Sequence, residues 1–498
     1  MSRINTNVSS LLSQRILNQQ DKGLNQSLER LSTGLRINRG ADDPAGLIAS
    51  ENLRSEKASI DSAISNAERA DQVVNIAEGG LQEVNALLLE VQGLVGRSAN
   101  DAGLSEEEKE ANQLQIDSIL QTIDRIADST SFQGTKLLNG TNDFTVSGQN
   151  SAVSDFKINA AKLSHDDQRD VQVLVTKSAQ HAGLYLSMDG DLDLTDADAR
   201  FRIELAGSKG SREFTFASGT TLTAAAEQIN TFSDVTGLSA AVDGTGLMVK
   251  STGFGSDEFV SVDVIEDGGQ AGGIYNVSAT DENTVSTGSS TDFSAVTNAV
   301  RDEGQDVGAI INGIAATSRG KTARINTDFL DVELELDQNG AQTLDSIDAF
   351  TITGGGAKFN LGPNVDINNQ VSLGISNVAA RKLGDVTDGY LDQLGSSQAA
   401  NLVDGDLEKA QKIVDKSISQ VSSLRGRLGA FQKNTIGATI RSLGVALENT
   451  SAAESAIRDT DFASETAEMT RGQILVQAAT NVLSIANSQP QNVLSLLG

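Results

Sequence analysis

The 498-residue chain has no cysteine, no tryptophan, two histidines and three prolines. Without cysteine it can form no disulfide framework, thiolate nucleophile or cysteine-held zinc site. His165 and His181 lie in a polar stretch without HExxH or HxH spacing, so imidazole catalysis is not expected. Basic residues are short relative to acidic ones, 38 Lys and Arg against 67 Asp and Glu, a net charge of −29. That field repels phosphate backbones and anionic lipid, and no local basic cluster reverses it, so no nucleic-acid partner and no membrane-surface role are expected. No run of about 18 apolar residues exists to insert into a membrane, and Met1–Asn7 lacks the apolar core of a secretory leader, so the expectation is a soluble chain without a cleaved signal peptide.

The aromatic residues are few and unevenly placed. None occurs from Met1 to Ser131, and after Tyr390 only Phe431 and Phe462 appear. Pro44, Pro363 and Pro490 leave long proline-free runs at both ends, which therefore permit uninterrupted helix. At roughly 100–200 residues per domain the length suits about three domains.

Leu24, Leu28, Leu31 and Leu35 step by four, three and four. The same alternation continues through Ile60, Ile64, Ala67, Val74, Leu81, Val84, Leu88, Val91 and Val95, with Asp71 and Glu78 as polar interruptions. This predicts a heptad seam on a helix from about Gly46 to Arg97, some 75 Å long at 1.5 Å per residue. Ile116, Ile119, Ile123 and Ile126 predict a third helix that folds back on the second, opened by Ser105 and Glu108 as a capping box. Val414, Ile418, Val421, Leu424, Leu428 and Phe431, then Ile436, Ile440, Leu443 and Leu447, repeat the pattern near the other end. The stripes at 60–95 and 414–447 are expected to be intramolecular core.

The middle alternates at period two around 170–175, 200–205, 213–216, 247–249 and 259–265, with further strand candidates at 309–311, 332–336 and 350–352 and a helix-like spacing at Leu222, Ala225 and Ile229. Between Met188 and Val300 there are 18 acidic and 5 basic residues, which marks this stretch as strongly solvated. The fold class is thus α+β: long helical coiled-coil arms from both termini packed together, with a β-rich insertion between them. The divisions are 1–45, an N-terminal inner-core helix; 46–175, a helical bundle region with a hairpin; 176–395, a surface-exposed β-rich insertion; 396–455, the C-terminal bundle helix; and 456–498, a C-terminal inner-core helix.

Apolar residues at the extreme ends need burial where fraying is the default. Val8, Leu11, Leu12, Ile16 and Leu17, with Leu24, Leu28, Leu31 and Leu35, are the N-terminal group. Ile474, Leu475, Val482, Ile485, Val493, Leu494, Leu496 and Leu497 are its C-terminal counterpart. Intermolecular burial explains these sets best, and non-identical patches that meet without closing produce an open filament.

No chemistry competes with this reading. Asp189–Asp193 begins like a calcium loop but has Leu194 where glycine is needed and Arg200 where a bidentate glutamate is needed. Gly253–Gly255 and Gly354–Gly356 lack a phosphate-loop frame. Asn276-Val277-Ser278 has the spacing of a glycosylation acceptor, with the unmodified state favoured. No catalytic residue, cofactor or metal is expected.

Specific words decide the family resemblance. Ile4-Asn5-Thr6-Asn7, the run Leu28 to Asn38, Ala41-Asp42-Asp43-Pro44-Ala45-Gly46, Thr130 to Leu138, Arg458-Asp459-Thr460-Asp461-Phe462-Ala463 and Ser488 to Leu497 resemble bacterial flagellin, in order and spacing from both ends. Gly219 to Asn230 resembles the flagellin repeat motif of the variable insertion. The resemblance implies a homopolymer in an open helical filament, with the terminal segments as an inner coiled coil around a channel. It also implies an extracellular flagellar location, a flagellar export chaperone, passage through the type III export apparatus, and hook–filament junction and cap proteins as neighbours. Flagellins that activate the vertebrate Toll-like flagellin receptor carry an Arg and a Glu at the positions matching Glu90 and Gln115 here, while Leu94 is retained; the reversed charge at Glu90 argues against activation. Alternatives of the same superfamily or insertion are a hook–filament junction protein, an adhesin-like insertion and a catalytic insertion.

Overall fold

In a computed structural model of the chain, the described residues are 6–100, 103–163, 168–196, 198–278 and 281–497, without the side chains of 287–289 and 490–497. Nine α-helices occur among them: α1 Val8–Thr33, α2 Pro44–Ser98, α3 Glu106–Ser129, α4 Leu222–Asn230, α5 Ser233–Thr236, α6 Gln338–Gln342, α7 Leu407–Ala430, α8 Gly437–Arg458 and α9 Phe462–Leu497. Two compact units contain these elements, one of Met1–Asp71, Asn360–Asn369 and Phe431–Gly498, the other of Gln72–Phe359 and Gln370–Ala430.

Helix ends follow local chemistry. The Asn7 side chain accepts the Ser10 N–H at 3.0 Å at the start of α1, and Gly34, at φ +74°, ends it by donating to the Arg30 carbonyl, a left-handed cap that glycine adopts at no steric cost. Pro44 opens α2 where its missing N–H is not needed. Ser105 and Glu108 form the expected capping box at α3.

Within the second unit, the seam of α2 (Val74, Ala77, Leu81, Val84, Leu88, Val91 and Val95) is buried, as are Ile116, Ile119 and Ile123 of α3 and Val414, Val421, Leu424 and Leu428 of α7. The polar interruption at Glu78 is occupied: Arg425 of α7 meets its carboxylate at 2.8 Å, and Gln92 donates to Asp415 at 2.7 Å. Asn112 of α3 reaches Ser98 of α2 at 3.1 Å, where the third helix folds back.

The 414–447 stripe does not behave uniformly. Between Phe431 and Ile436 its step is five, one residue more than the alternation allows, and Phe431–Ile436 is a π-helical segment. A π turn takes up one extra residue, so both Phe431 and Ile436 stay buried; beside it Gln432 donates to Asp71 at 2.9 Å. Beyond it the expectation of core fails: α8 has no buried residue, and Ile440, Leu443 and Leu447 are half-buried. Only about one face of α8 meets this chain.

Strands begin inside the stretch 46–175, at Phe144–Ser147, Val153–Ala161 and Arg169–Lys177, and they build two lobes. In the first lobe, a five-stranded sheet ordered Ile314–Ala315, Gly308–Ile311, Arg169–Lys177, Ser346–Gly355, Phe144–Ser147 accompanies a four-stranded one ordered Thr317–Arg319, Thr322–Asn326, Leu330–Leu336, Val153–Ala161. Its core includes Val173, Ile311, Val332, Leu334 and Ile352. In the second lobe, Asp281–Asp292, Gly273–Ser278, Gly183–Ser187, Gly246–Ser251 and Leu238–Asp243 form one sheet, and Val300–Glu303, Phe259–Glu266, Arg200–Ala206 and Ser211–Ala217 the other. Phe201, Phe214, Phe216, Ile229 of α4 and Phe293 fill its core. The lobes thus hold the aromatic residues that the ends lack, and α4 lies where Leu222, Ala225 and Ile229 predicted it, capped by Thr221.

Candidate self-association interface

Helices α1 and α9 lie against each other in the first unit and run antiparallel. Asn7 donates to the Ala486 carbonyl at 2.7 Å and Ser10 to the Asn487 side chain at 2.6 Å, while at the other end Arg30 stands 3.6 Å from Glu465. Seams with three-four spacing face each other. On α1 these are Ser10, Ser13, Leu17, Gln20, Leu24, Ser27 and Leu31, all buried or half-buried; on α9 they are Glu465, Met469, Gly472, Val476, Ala479, Leu483 and Ala486. The buried positions are small or polar: Ser13, Ser27, Ala479, Ala486 and Glu465. A side chain at Gly472 would meet Leu24 at 3.6 Å, so the small residues bring the backbones close.

This seam differs from the leucine stripe expected from the sequence. Leu24 and Leu31 belong to the intrachain seam and Leu35 is half-buried, so one chain already covers these three in part. Leu28 is 44% exposed. The seam was missed because Ser, Gly and Ala carry little hydrophobic signal. Its register is readable only when Leu17, Val476 and Leu483 are joined to small residues at the same spacing.

The seam leaves a second apolar face on each helix uncovered. Val8, Leu11, Leu12 and Ile16 are 66, 59, 47 and 42% exposed, and Ile474, Leu475, Val482 and Ile485 are 65, 41, 53 and 63% exposed. On α9 the spacing 474, 478, 482, 485 keeps them on one side of the helix. The side chains of Val493, Leu494, Leu496 and Leu497 lie outside the described residues.

The motif words surround this pair. Leu35 bridges Asp459, Arg36 donates its backbone N–H to the Arg458 carbonyl at 2.7 Å, and Thr460 donates to Gly34 at 2.9 Å. Arg458 also pairs with Glu51 of α2 at 2.8 Å. Ile37 is 1% exposed, and the turn after it closes on Asp42, whose carboxylate accepts the N–H groups of Arg39 and Asn38; the Arg39 N–H in particular holds that carboxyl below its ordinary range. Asp43 accepts from Gly46 at 2.9 Å, and Asp461 accepts from Ala463 at the start of α9 at 2.9 Å. The words at 28–38, 41–46 and 458–463 therefore each end or begin a helix of this unit, whereas the word at 130–138 follows α3 in the second unit.

Family models match both ends: the bacterial flagellin N-terminal helical region over residues 4–143, and the bacterial flagellin C-terminal helical region over residues 411–497. The flagellin hook IN motif matches residues 201–253, the strand, helix and strand unit that contains α4. The chain belongs to the bacterial flagellins. It is 28% identical over 531 residues to the flagellin of Salmonella choleraesuis (strain SC-B67) and 29% identical over 543 residues to the B-type flagellin of Pseudomonas aeruginosa, each comparison covering 99% of both chains. Among solved structures, FlgL of Xanthomonas campestris is 13% identical, with a TM-score of 0.26, covering 80% of this chain and 98% of that one. As a flagellin, the chain is a structural subunit that polymerises into the helical filament of the bacterial flagellum, the propeller for swimming.

Of the receptor-region positions, Glu90 and Gln115 are exposed, but Leu94 is fully buried. With Leu88 and Val91 it belongs to the buried seam of α2. Among the described residues no group of His, Asp and Glu could hold a metal ion, and no helix is long and apolar enough to cross a membrane. The Asp189–Asp193 turn is used internally, Asp191 accepting the Leu222 N–H at 3.2 Å.

Proposed function

We propose that the uncovered faces of α1 and α9 are the surfaces through which copies of this chain join. The observation that carries this is the division of labour on the pair: the small residues Ser13, Ser27, Ala479 and Ala486 face inward, and eight large apolar side chains from Val8 to Ile485 are 41–66% exposed. At about 25 cal/mol per Å² of apolar surface removed from water, covering such stripes in every subunit is a large driving force for assembly. Val8, Leu11, Leu12, Leu28, Ile474, Leu475, Val482, Ile485 and the tail Val493, Leu494, Leu496 and Leu497 supply it. Leu24, Leu31 and Leu35 contribute by holding α1 in place.

In this reading residues 1–45 and 456–498 form the inner layer of the filament, 46–175 and 396–455 the helical layer around it, and 176–395 the solvent-facing part. The subunit carries no catalytic site, travels with an export chaperone through the type III apparatus, and ends next to junction and cap proteins. Glu90, where activating flagellins carry a cation, weakens recognition by the flagellin receptor.

Val482→Asp tests the interface. An unpaired carboxylate within a covered apolar face is strongly unfavourable, so the variant folds as the parent does, by circular dichroism, and does not elongate filament seeds. Elongation at the parental rate would remove Val482 from the interface.

A further inference from the structure

The two β-lobes are joined at a narrow neck of two adjacent chain segments, 180–181 and 304–306. Gln180 and Gln305 exchange backbone hydrogen bonds there, at 2.8 and 3.0 Å. Two strands side by side resist stretching but leave bending and twisting soft. A third element crosses the neck. The loop 252–258 of the second lobe sends Phe254 against the core of the first, with the His181 ring packed on it, tilted by 35° at 3.7 Å between centroids, and the Lys321 ammonium 5.5 Å from its ring centre. His181 is itself held, its Nδ1 2.9 Å from the Gly253 carbonyl and its backbone N–H donated to Glu282.

Asp306, on the neck, binds both sides. Its carboxylate accepts the Ser256 N–H at 3.1 Å and the Ser256 hydroxyl at 2.6 Å from the second-lobe loop, and the Gly320 N–H at 2.7 Å from a first-lobe turn. The loop and the turn touch through glycine: Gly255 has φ +106° and Gly320 φ +58°, and a Cβ on Gly255 would stand 2.7 Å from the Gly320 Cα and 2.5 Å from an Asp306 oxygen. Close approach and positive φ both demand glycine at Gly255.

We propose that Asp306 and the loop 252–258 form a clasp that locks the two lobes into one stiff body, and that opening it frees the second lobe to bend about the neck. The three hydrogen bonds are charge-assisted and converge on one carboxylate, so a single substitution releases both sides. No residue of the clasp belongs to α1 or α9.

Hydrogen exchange and small-angle scattering on the full-length monomer test this with Asp306→Ala, Ser256→Ala and, as a control, Arg202→Ala, which breaks only the exposed pairs with Glu213 and Glu266 inside the second lobe. In Asp306→Ala, amides of 252–258 and 304–307 exchange at least about tenfold faster and scattering reports a spread of lobe orientations. Amides in Arg200–Ala206 and Leu330–Leu336 keep the parental rate. Ser256→Ala shows the same pattern more weakly, and Arg202→Ala shows none. Unchanged exchange at the neck in both variants overturns the clasp, as does a loss of protection throughout the strands of either lobe, which would make Asp306 a residue of lobe stability. Should Asp306→Ala not fold, Ser256→Ala decides alone: acceleration confined to the neck supports the clasp, and no acceleration refutes it.

Discussion

The terminal helix pair and the second β-lobe dispose of apolar side chains in opposite ways. In the lobe, Phe201, Ile203, Leu205, Phe214, Phe216 and Val262 are at most 1% exposed, and the strands turn polar residues outward at period two. In α1 and α9 large apolar residues such as Leu11, Ile474 and Ile485 are exposed, and the buried residues among those described are Ser13, Ser27, Glu465, Ala479 and Ala486. A lobe satisfies its hydrophobic pattern within one chain. The helix pair satisfies only the weaker of its two faces, which is what a part made for assembly requires.

Exchanging the two kinds of position breaks the comparison most sharply. Phe201→Ala should cost the lobe about 3–5 kcal/mol, visible as a lowered unfolding transition, while seeded elongation by the folded fraction stays parental. Ile485→Ala should do the reverse, shifting monomer stability by less than about 0.5 kcal/mol while slowing elongation. If Ile485→Ala destabilised the monomer as much as Phe201→Ala, the uncovered face would be intrachain core. The small face is the next test. Ala479→Leu and Ala486→Leu insert bulk where α1 lies close, and each should cost about 1–3 kcal/mol, read as faster hydrogen exchange in α1.

Much of this was readable beforehand, and the failures have a common cause. The period-two runs became strands and the α2 heptads became a buried seam, because in both the apolar residues are large and their partners lie in the same chain. The α1 and α9 stripes misled about the seam, because the serine, glycine and alanine that build it carry little hydrophobic signal: sequence records that Val482 and Ile485 need cover, not whose. The α8 stripe failed likewise. The step of five from Phe431 to Ile436 was visible, yet without the π turn it read as an uninterrupted seam. The neck between the lobes left no trace, since Asp306 and Gly255 are ordinary turn residues until the fold brings them together.

Polar links within the second unit give smaller effects. The Arg425–Glu78 pair at 2.8 Å bridges α7 and α2 with both side chains about two-thirds buried, so Arg425→Ala should cost about 1 kcal/mol, detectable as a small fall in the denaturation midpoint of the helical part and absent from the lobe transitions.

The weakest expected effect has a pH signature. Lys416 of α7 meets Asp385 at 2.8 Å. Burial alone would push the Asp385 carboxyl up, but the Lys416 ammonium and the N–H groups of Asp388 and Thr387 outweigh it and hold it below its ordinary value. The hydrogen bond to Asp385 in turn holds Lys416 above the ordinary lysine value, against the burial that opposes it. A depressed carboxyl contributes stability that is present above its ordinary value and lost as pH falls through the depressed one; a raised ammonium contributes stability that is present below its ordinary value and lost as pH rises through the raised one. The link therefore contributes a plateau across neutral pH that declines at both extremes. Burial raises the nearby Asp155 carboxyl, and that group has the opposite slope in acid, favouring the fold as it takes up its proton. Asp385→Asn should flatten the acid decline in the protection of 384–390, measured by hydrogen exchange from neutral to acid pH, and slightly lower the plateau. An acid decline as steep as the parent's would assign it to other carboxylates of the same unit.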